Sequence, residues 1–210
     1  MSRLLNIGTV KGEGEDIFTV ERMVGKEELS RLFEYRVDVL SEHGEYKPED
    51  FLGTNATVRI EMPGGADPRF LNGYISRFSV LGQVKTPAFK ATTGFRYQIT
   101  LSPWLWFLTR TSTCAIFQQK KILDVIEEVL GRVAELKSYD GKVTGDTETR
   151  DYCVQYRETD FNFVSRLMEQ AGLYYFFTHE NGKHTLVLTN DPAKHETLPG
   201  RPELFFNATT

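Results

Sequence analysis

Asn181-Gly182 stands between two apolar runs, Leu173–Thr178 and Thr185–Thr189, and this arrangement constrains the fold more than any other feature of the chain. Both residues tolerate the positive φ of a two-residue turn, so the flanking strands form an antiparallel hairpin of fixed register. Glu180 then faces Lys183, His179 faces His184, and Phe177 faces Leu186. Alternation puts Tyr175, Phe177, Leu186 and Leu188 on one face, with Phe176 and Val187 on the other. A hairpin apolar on both faces has to be covered on both, either by another part of the chain or by a neighbouring subunit.

The first half of the chain reads as β-structure. Phe33, Tyr35, Val37 and Val39 alternate with Glu34, Arg36 and Asp38; Ala56, Val58, Ile60 and Met62 alternate with Thr57, Arg59 and Glu61. That is the period of strands with one wet face. Pro63-Gly64-Gly65 ends the second run in a turn, and further strands are expected at Ile17–Met23, Arg69–Val80 and Phe95–Leu101. Short strands with turns between them suggest a small antiparallel barrel or sandwich. After Pro103 the period changes. Ile122, Val125, Ile126, Val129 and Leu130 predict a helix over Gln119–Leu130, with Gly131 at its end. Ser138–Asp151 is polar and reads as a surface loop. Phe161, Val164, Leu167, Met168 and Ala171 mark a second helix, with Thr159 or Asp160 as its N-cap and Gly172 just past its end. The fold class is therefore α+β, a small antiparallel β-barrel followed by helices and a β-hairpin.

Composition closes several routes to function. Hydrophobic residues make up 40% of the 210 and charged residues 26%, which is globular usage. The longest apolar runs, Trp104–Leu108 and Leu173–Phe177, fall far short of the ~20 residues of a membrane span. Met1-Ser2-Arg3-Leu4-Leu5-Asn6 has no apolar core of a signal peptide, so export would need other machinery. Lys plus Arg is 25 against 29 for Asp plus Glu, evenly spread, so no basic stripe supports nucleic-acid binding. Cys114 and Cys153 form no CxxC and read as two small buried hydrophobes rather than a disulfide.

Residues able to do chemistry are few. His179 and His184, opposed on the hairpin, have Cβ atoms about 5 Å apart and could share a metal. Zinc takes three or four protein ligands, and no third ligand stands nearby in sequence. A solvated cross-strand pair at the hairpin tip is the preferred reading. Glu13, Glu15 and Asp16 lie in a glycine-containing loop, and Glu127 and Glu128 on the polar side of a helix. Glu158 and Asp160 adjoin a helix N-terminus, where negative charge is favourable. No nucleophile elbow, SxxK, phosphate loop or dinucleotide fingerprint is present, and neither catalytic residues nor a cofactor are expected. The aromatic residues could form a platform for sugars, but their strand positions favour packing.

The stretch Gln155-Tyr156-Arg157-Glu158-Thr159-Asp160-Phe161-Asn162-Phe163-Val164-Ser165-Arg166-Leu167-Met168-Glu169-Gln170-Ala171-Gly172-Leu173-Tyr174-Tyr175-Phe176 resembles the signature of VgrG proteins, the spikes of bacterial type VI secretion systems. Its positions Glu158, Thr159, Asp160, Phe163, Arg166, Leu167, Glu169, Gly172 and Tyr175 carry the match. Glu28-Leu29-Ser30, Leu52-Gly53, Asn72-Gly73-Tyr74 and Ile116-Phe117-Gln118 agree with it. The resemblance implies a phage tail hub-like fold. Residues 1–110 would form the first barrel, and residues 111–210 a helical region and hairpin leading into an incomplete second barrel of a longer protein. It also implies a non-catalytic hub that trimerises, sits on the Hcp tube, carries effectors and a PAAR tip, and leaves the cytoplasm through the type VI machinery. Glu158, Asp160 and Arg166 would share a local polar network. A phage or prophage tail hub is the alternative within the class. A small metal-dependent enzyme using His179 and His184, or a sugar-binding module, are the alternatives outside it.

Overall fold

The computed structural model of the chain describes residues 5–9, 17–62, 66–86, 93–133 and 138–196. Six strands come first: β1 (Leu5–Thr9), β2 (Thr19–Lys26), β3 (Glu34–Ser41), β4 (Asn55–Ile60), β5 (Arg69–Lys85) and β6 (Thr93–Ser102). They are hydrogen-bonded in the order β1-β2-β3-β6-β5-β4, and β1 also pairs β4, so the order closes on itself as a barrel. Among the described residues, the β1–β2 joint is a single pair, Asn6 with Thr19. All the barrel ladders are antiparallel.

The inside of the barrel follows from the alternation. Tyr35, Val37 and Val39 of β3 are buried and lie opposite Leu101, Ile99 and Tyr97 of β6, which are also buried. β5 is long enough to pair β4 with its first half and β6 with its second. It bends at register shifts between Ile75 and Arg77 and between Val80 and Gly82, where Gly82 has φ +114°. A short 3-10 turn over Pro48–Asp50 delivers Phe51 into the barrel core, where its ring stacks on Phe78 at 4.7 Å.

A second core lies beyond Pro103. A 3-10 turn over Trp104–Thr109 buries Trp104, Leu105 and Leu108 there. β7 (Ser112–Lys121), α1 (Ile122–Leu130), β8 (Tyr139–Lys142), β9 (Thr149–Thr159), α2 (Asp160–Gln170), β10 (Tyr174–Glu180) and β11 (Lys183–Thr189) follow. Ile122, Val125, Ile126, Val129 and Leu130 of α1 pack with Phe163, Val164, Leu167 and Met168 of α2. β7 and β9 form an antiparallel ribbon; β10, β11 and β8 form a three-stranded sheet in which β8 runs parallel to β11.

Several expectations are corrected. The first helix begins at Ile122, because residues up to Lys121 belong to β7. Ser138–Asp151 is not all loop: it contains β8 and the start of β9, whose partners are remote in sequence. Cys153 is buried but Cys114 is exposed, and both thiols are free. Pro63-Gly64-Gly65 and the loop with Glu13, Glu15 and Asp16 lie outside the described residues. Among the described residues, no helix is long and apolar enough to cross a membrane.

Candidate functional site

The signature segment spans the end of β9, all of α2 and the start of β10. Thr159 is the N-cap: its Oγ1 accepts from the Asn162 N–H at 3.1 Å. Asp160 is only 1% exposed. Its carboxylate accepts from Arg132 at 2.5 Å, Gln155 Nε2 at 2.7 Å and Thr111 Oγ1 at 2.8 Å, with Thr113 Oγ1 at 3.3 Å. Burial alone would push this carboxyl up. The hydrogen bonds from Gln155 and Thr111 and the charge of Arg132 outweigh it and hold the group below its usual range.

Arg166 belongs to a different cluster. It grips Glu158 with Nε to Oε2 at 3.1 Å and Nη2 to Oε1 at 2.7 Å, and donates to the Val154 carbonyl at 2.8 Å. Its guanidinium also lies over the Phe163 ring at 4.9 Å, and that ring stacks on Phe117 at 5.6 Å. Glu158 and Arg166 are thus together, whereas Asp160 faces Arg132, a residue the sequence reading did not single out. Leu167 is fully buried and Glu169 is exposed. Gly172 ends α2 at φ +65°, with the Leu173 N–H returning to the Met168 carbonyl at 2.8 Å. Tyr175 is buried, and its hydroxyl has no hydrogen-bond partner among the described residues.

His179 and His184 form the centre of a seam between hairpin and barrel, which corrects the expectation of a solvated pair. The register is the one that Asn181-Gly182 dictates, with His179 opposite His184. The wall of β3, β4 and β5 is laid over the hairpin tip, burying the His184 ring and half-burying that of His179. His184 Nε2 accepts from the Trp104 N–H at 2.8 Å, so Nδ1 carries the proton and donates to Asn72 Oδ1 at 2.7 Å. His179 has Nε2 at 3.0 Å from the Tyr35 hydroxyl and Nδ1 at 3.2 Å from the Asn72 N–H. Asn72 is fully buried; its amide nitrogen donates to Asn55 Oδ1 at 2.7 Å and Thr57 Oγ1 at 2.8 Å. Thr57 Oγ1 in turn accepts from the Gly182 N–H at 3.1 Å. Phe33 sets its ring edge-on to both imidazoles, at 5.0 and 5.5 Å. Burial pushes both histidines down, His184 to about 3.

Both nitrogens of His184 are spent on protein partners, and no group of three metal-ligating side chains occurs among the described residues. The other face of the hairpin is covered from within the chain: His195 stacks on Phe176 at 4.6 Å and on Tyr174 at 5.7 Å. What this arrangement does is lock the hairpin, and the core behind it, to the barrel in one register.

Residues 26–210, which take in most of the closed barrel and all of the two-helix core behind it, match the phage tail baseplate hub (GPD) family, to which the chain belongs. Within that class the similarity is to type VI secretion spikes. The chain is 40% identical over 188 residues to the type VI secretion system spike protein VgrG1a of Pseudomonas aeruginosa, covering 89% of this chain and 28% of that protein. It is 31% identical to the spike protein VgrG3 of Vibrio cholerae, over 90% of this chain and 19% of that one. It spans about a quarter of the length of the curated relatives it matches. Its fold is shared with an E. coli component of the type VI secretion system that is itself similar to the T4 tail proteins gp27 and gp5. There the TM-score is 0.76 at 23% identity, covering 93% of this chain and 53% of the other.

Proposed function

We propose that this chain is the hub portion of a type VI secretion spike, a structural part and not a catalyst. Residues 1–110 serve as the first hub barrel, and residues 111–210 as the helical region and hairpin that lead towards a second barrel. In the whole protein this hub forms a homotrimer, seats on the Hcp tube, and passes the force of contraction to a needle carrying effectors and a PAAR tip. It stays in the cytoplasm before firing and leaves through the machinery without a signal peptide.

One observation carries this reading: 40% identity to a spike protein over 89% of the chain, in a family otherwise named for phage baseplates. The spending of the signature residues supports it. Asp160, Arg166 and Thr159 make bonds that hold one element to the next. The test is a strain whose other spike genes are deleted, producing the whole protein with or without residues 26–210. Hcp should appear in the medium only with the intact form, and Hcp release that survives the deletion overturns the assignment.

A further inference from the structure

The seam between barrel and hairpin tip is made of two imidazoles, and that of His184 has no place for an added proton. His184 is 3% exposed. A second proton on it would sit at Nε2, pointing at the Trp104 N–H 2.8 Å away, itself a donor fixed in the backbone of a buried residue. Nδ1 is already committed to Asn72 Oδ1. The His179 ring lies 6.1 Å off, so two charged rings would also repel each other.

The Asn72 carbonyl, 3.1 Å from His179 Nδ1, favours a proton on that ring, and the other groups facing the pair offer little compensation. From β3 comes the Tyr35 hydroxyl, itself held by burial and by Glu27 in its protonated form. Glu27, just past β2, favours a proton on His179; Arg69 of β5 opposes it, and these two are paired with each other at 3.8 Å. The Trp104 turn contributes a backbone N–H and the hairpin turn the outward-facing Glu180 and Lys183. The charge acting on His184 is that of His179.

We propose that the hairpin tip, residues 179–184, is an acid-released clasp: protonation of His179 and His184 lifts it off the β3–β5 wall and loosens the joint between the two cores while the barrel stays closed. In the closed state burial holds both rings below the ordinary histidine value; in the opened tip they regain about 6.5. The closed form is therefore fully favoured above about pH 6.5 and loses ground as pH falls towards the closed-state values. The opening equilibrium grows by up to about tenfold per pH unit for each histidine. Among the described residues, the barrel core holds no histidine to supply such a term. That core is aromatic and aliphatic, and the other two of the four histidines, His43 and His195, are exposed.

Amide hydrogen exchange between pH 7.5 and 5.0, corrected for intrinsic exchange rates, tests the clasp. Protection in residues 179–186 and at Trp104 should fall about tenfold or more per pH unit below 6.5, with residues 35–39 and 97–101 unchanged. Constant tip protection, or loss of tip and barrel together, overturns the proposal. The double substitution His179→Gln with His184→Gln should abolish the slope at the tip, and a slope that persists in that folded variant also overturns it. If that variant does not fold, the exchange profile of the natural chain decides alone.

Discussion

Asn72 Oδ1 accepts the His184 Nδ1–H at 2.7 Å, so a side chain in the first half of β5 fixes the tautomer of a hairpin residue 112 positions later. The same amide donates to Asn55 and Thr57, and Thr57 holds the Gly182 N–H. Asn72→Ala leaves the imidazole N–H buried without its acceptor and takes a donor away from Asn55 and Thr57. It should lower stability by about 3 kcal/mol, since each buried unsatisfied group costs roughly 1–3 kcal/mol. Urea unfolding measures this, and a loss below 1 kcal/mol would show the seam to be dispensable.

Asp160→Asn removes the charge facing Arg132 but keeps the shape. Because Arg132 is partly exposed, at 29%, the loss should be about 2 kcal/mol, under the 3–5 kcal/mol typical of a fully buried pair. The pH dependence has a definite sign. The folded carboxyl is held below its ordinary value, so its contribution is present above the ordinary value and is lost as pH falls through the folded one. Stability of the natural chain should drop further than that of Asp160→Asn below about pH 4. Denaturant midpoints at pH 7 and pH 3 check both statements, and parallel curves for the two proteins would refute the second.

How much of this was legible depended on whether the signal was local. β3 buries Tyr35, Val37 and Val39, and β6 buries Tyr97, Ile99 and Leu101, at alternate positions, so Val37 and Ile99 are readable as core from a few neighbours. β9 has the same period with its polarity inverted. Tyr152, Val154 and Tyr156 point out at 55%, 37% and 62% exposure, while Gln155 is fully buried against Asp160. A pattern of apolar residues outside and an amide inside gives no core face to recognise. β8 is four residues long and pairs in parallel with β11, which no neighbouring residue announces. The hairpin register came directly from Asn181-Gly182. The burial of its histidines did not, because the atoms that enclose them, on Tyr35 and Asn72, lie 144 and 107 positions away from His179.

Arg166→Ala breaks the two-point grip on Glu158, the bond to the Val154 carbonyl and the contact over Phe163. Arg166 is 38% exposed, so solvent screens the pair and the charge contributes modestly. The three contacts together should be worth about 1 kcal/mol, or about 3 °C in Tm for a chain of this size. Arg166→Lys keeps the charge without the fork and should recover less than half of that. Calorimetry on the two variants decides; equal Tm values for natural chain and Arg166→Ala would remove this pair from the list of stabilising contacts.

Tyr175 poses the opposite case. Its ring is 2% exposed and packs on Phe177 at 5.7 Å, inside the core formed with Leu186 and Leu188. Its hydroxyl has no partner among the described residues, and burial pushes its ionisation up. A hydroxyl moved from water to such a site without a hydrogen bond costs roughly 1–3 kcal/mol, whereas the ring contributes the hydrophobic gain whether or not the oxygen is there. Tyr175→Phe should therefore raise stability, by about 1 kcal/mol, with the hairpin register unchanged. Tyr175→Ala should lose about 4 kcal/mol, because it opens a cavity beside Phe177. A Tyr175→Phe variant less stable than the natural chain in urea would mean that the oxygen is hydrogen-bonded in solution.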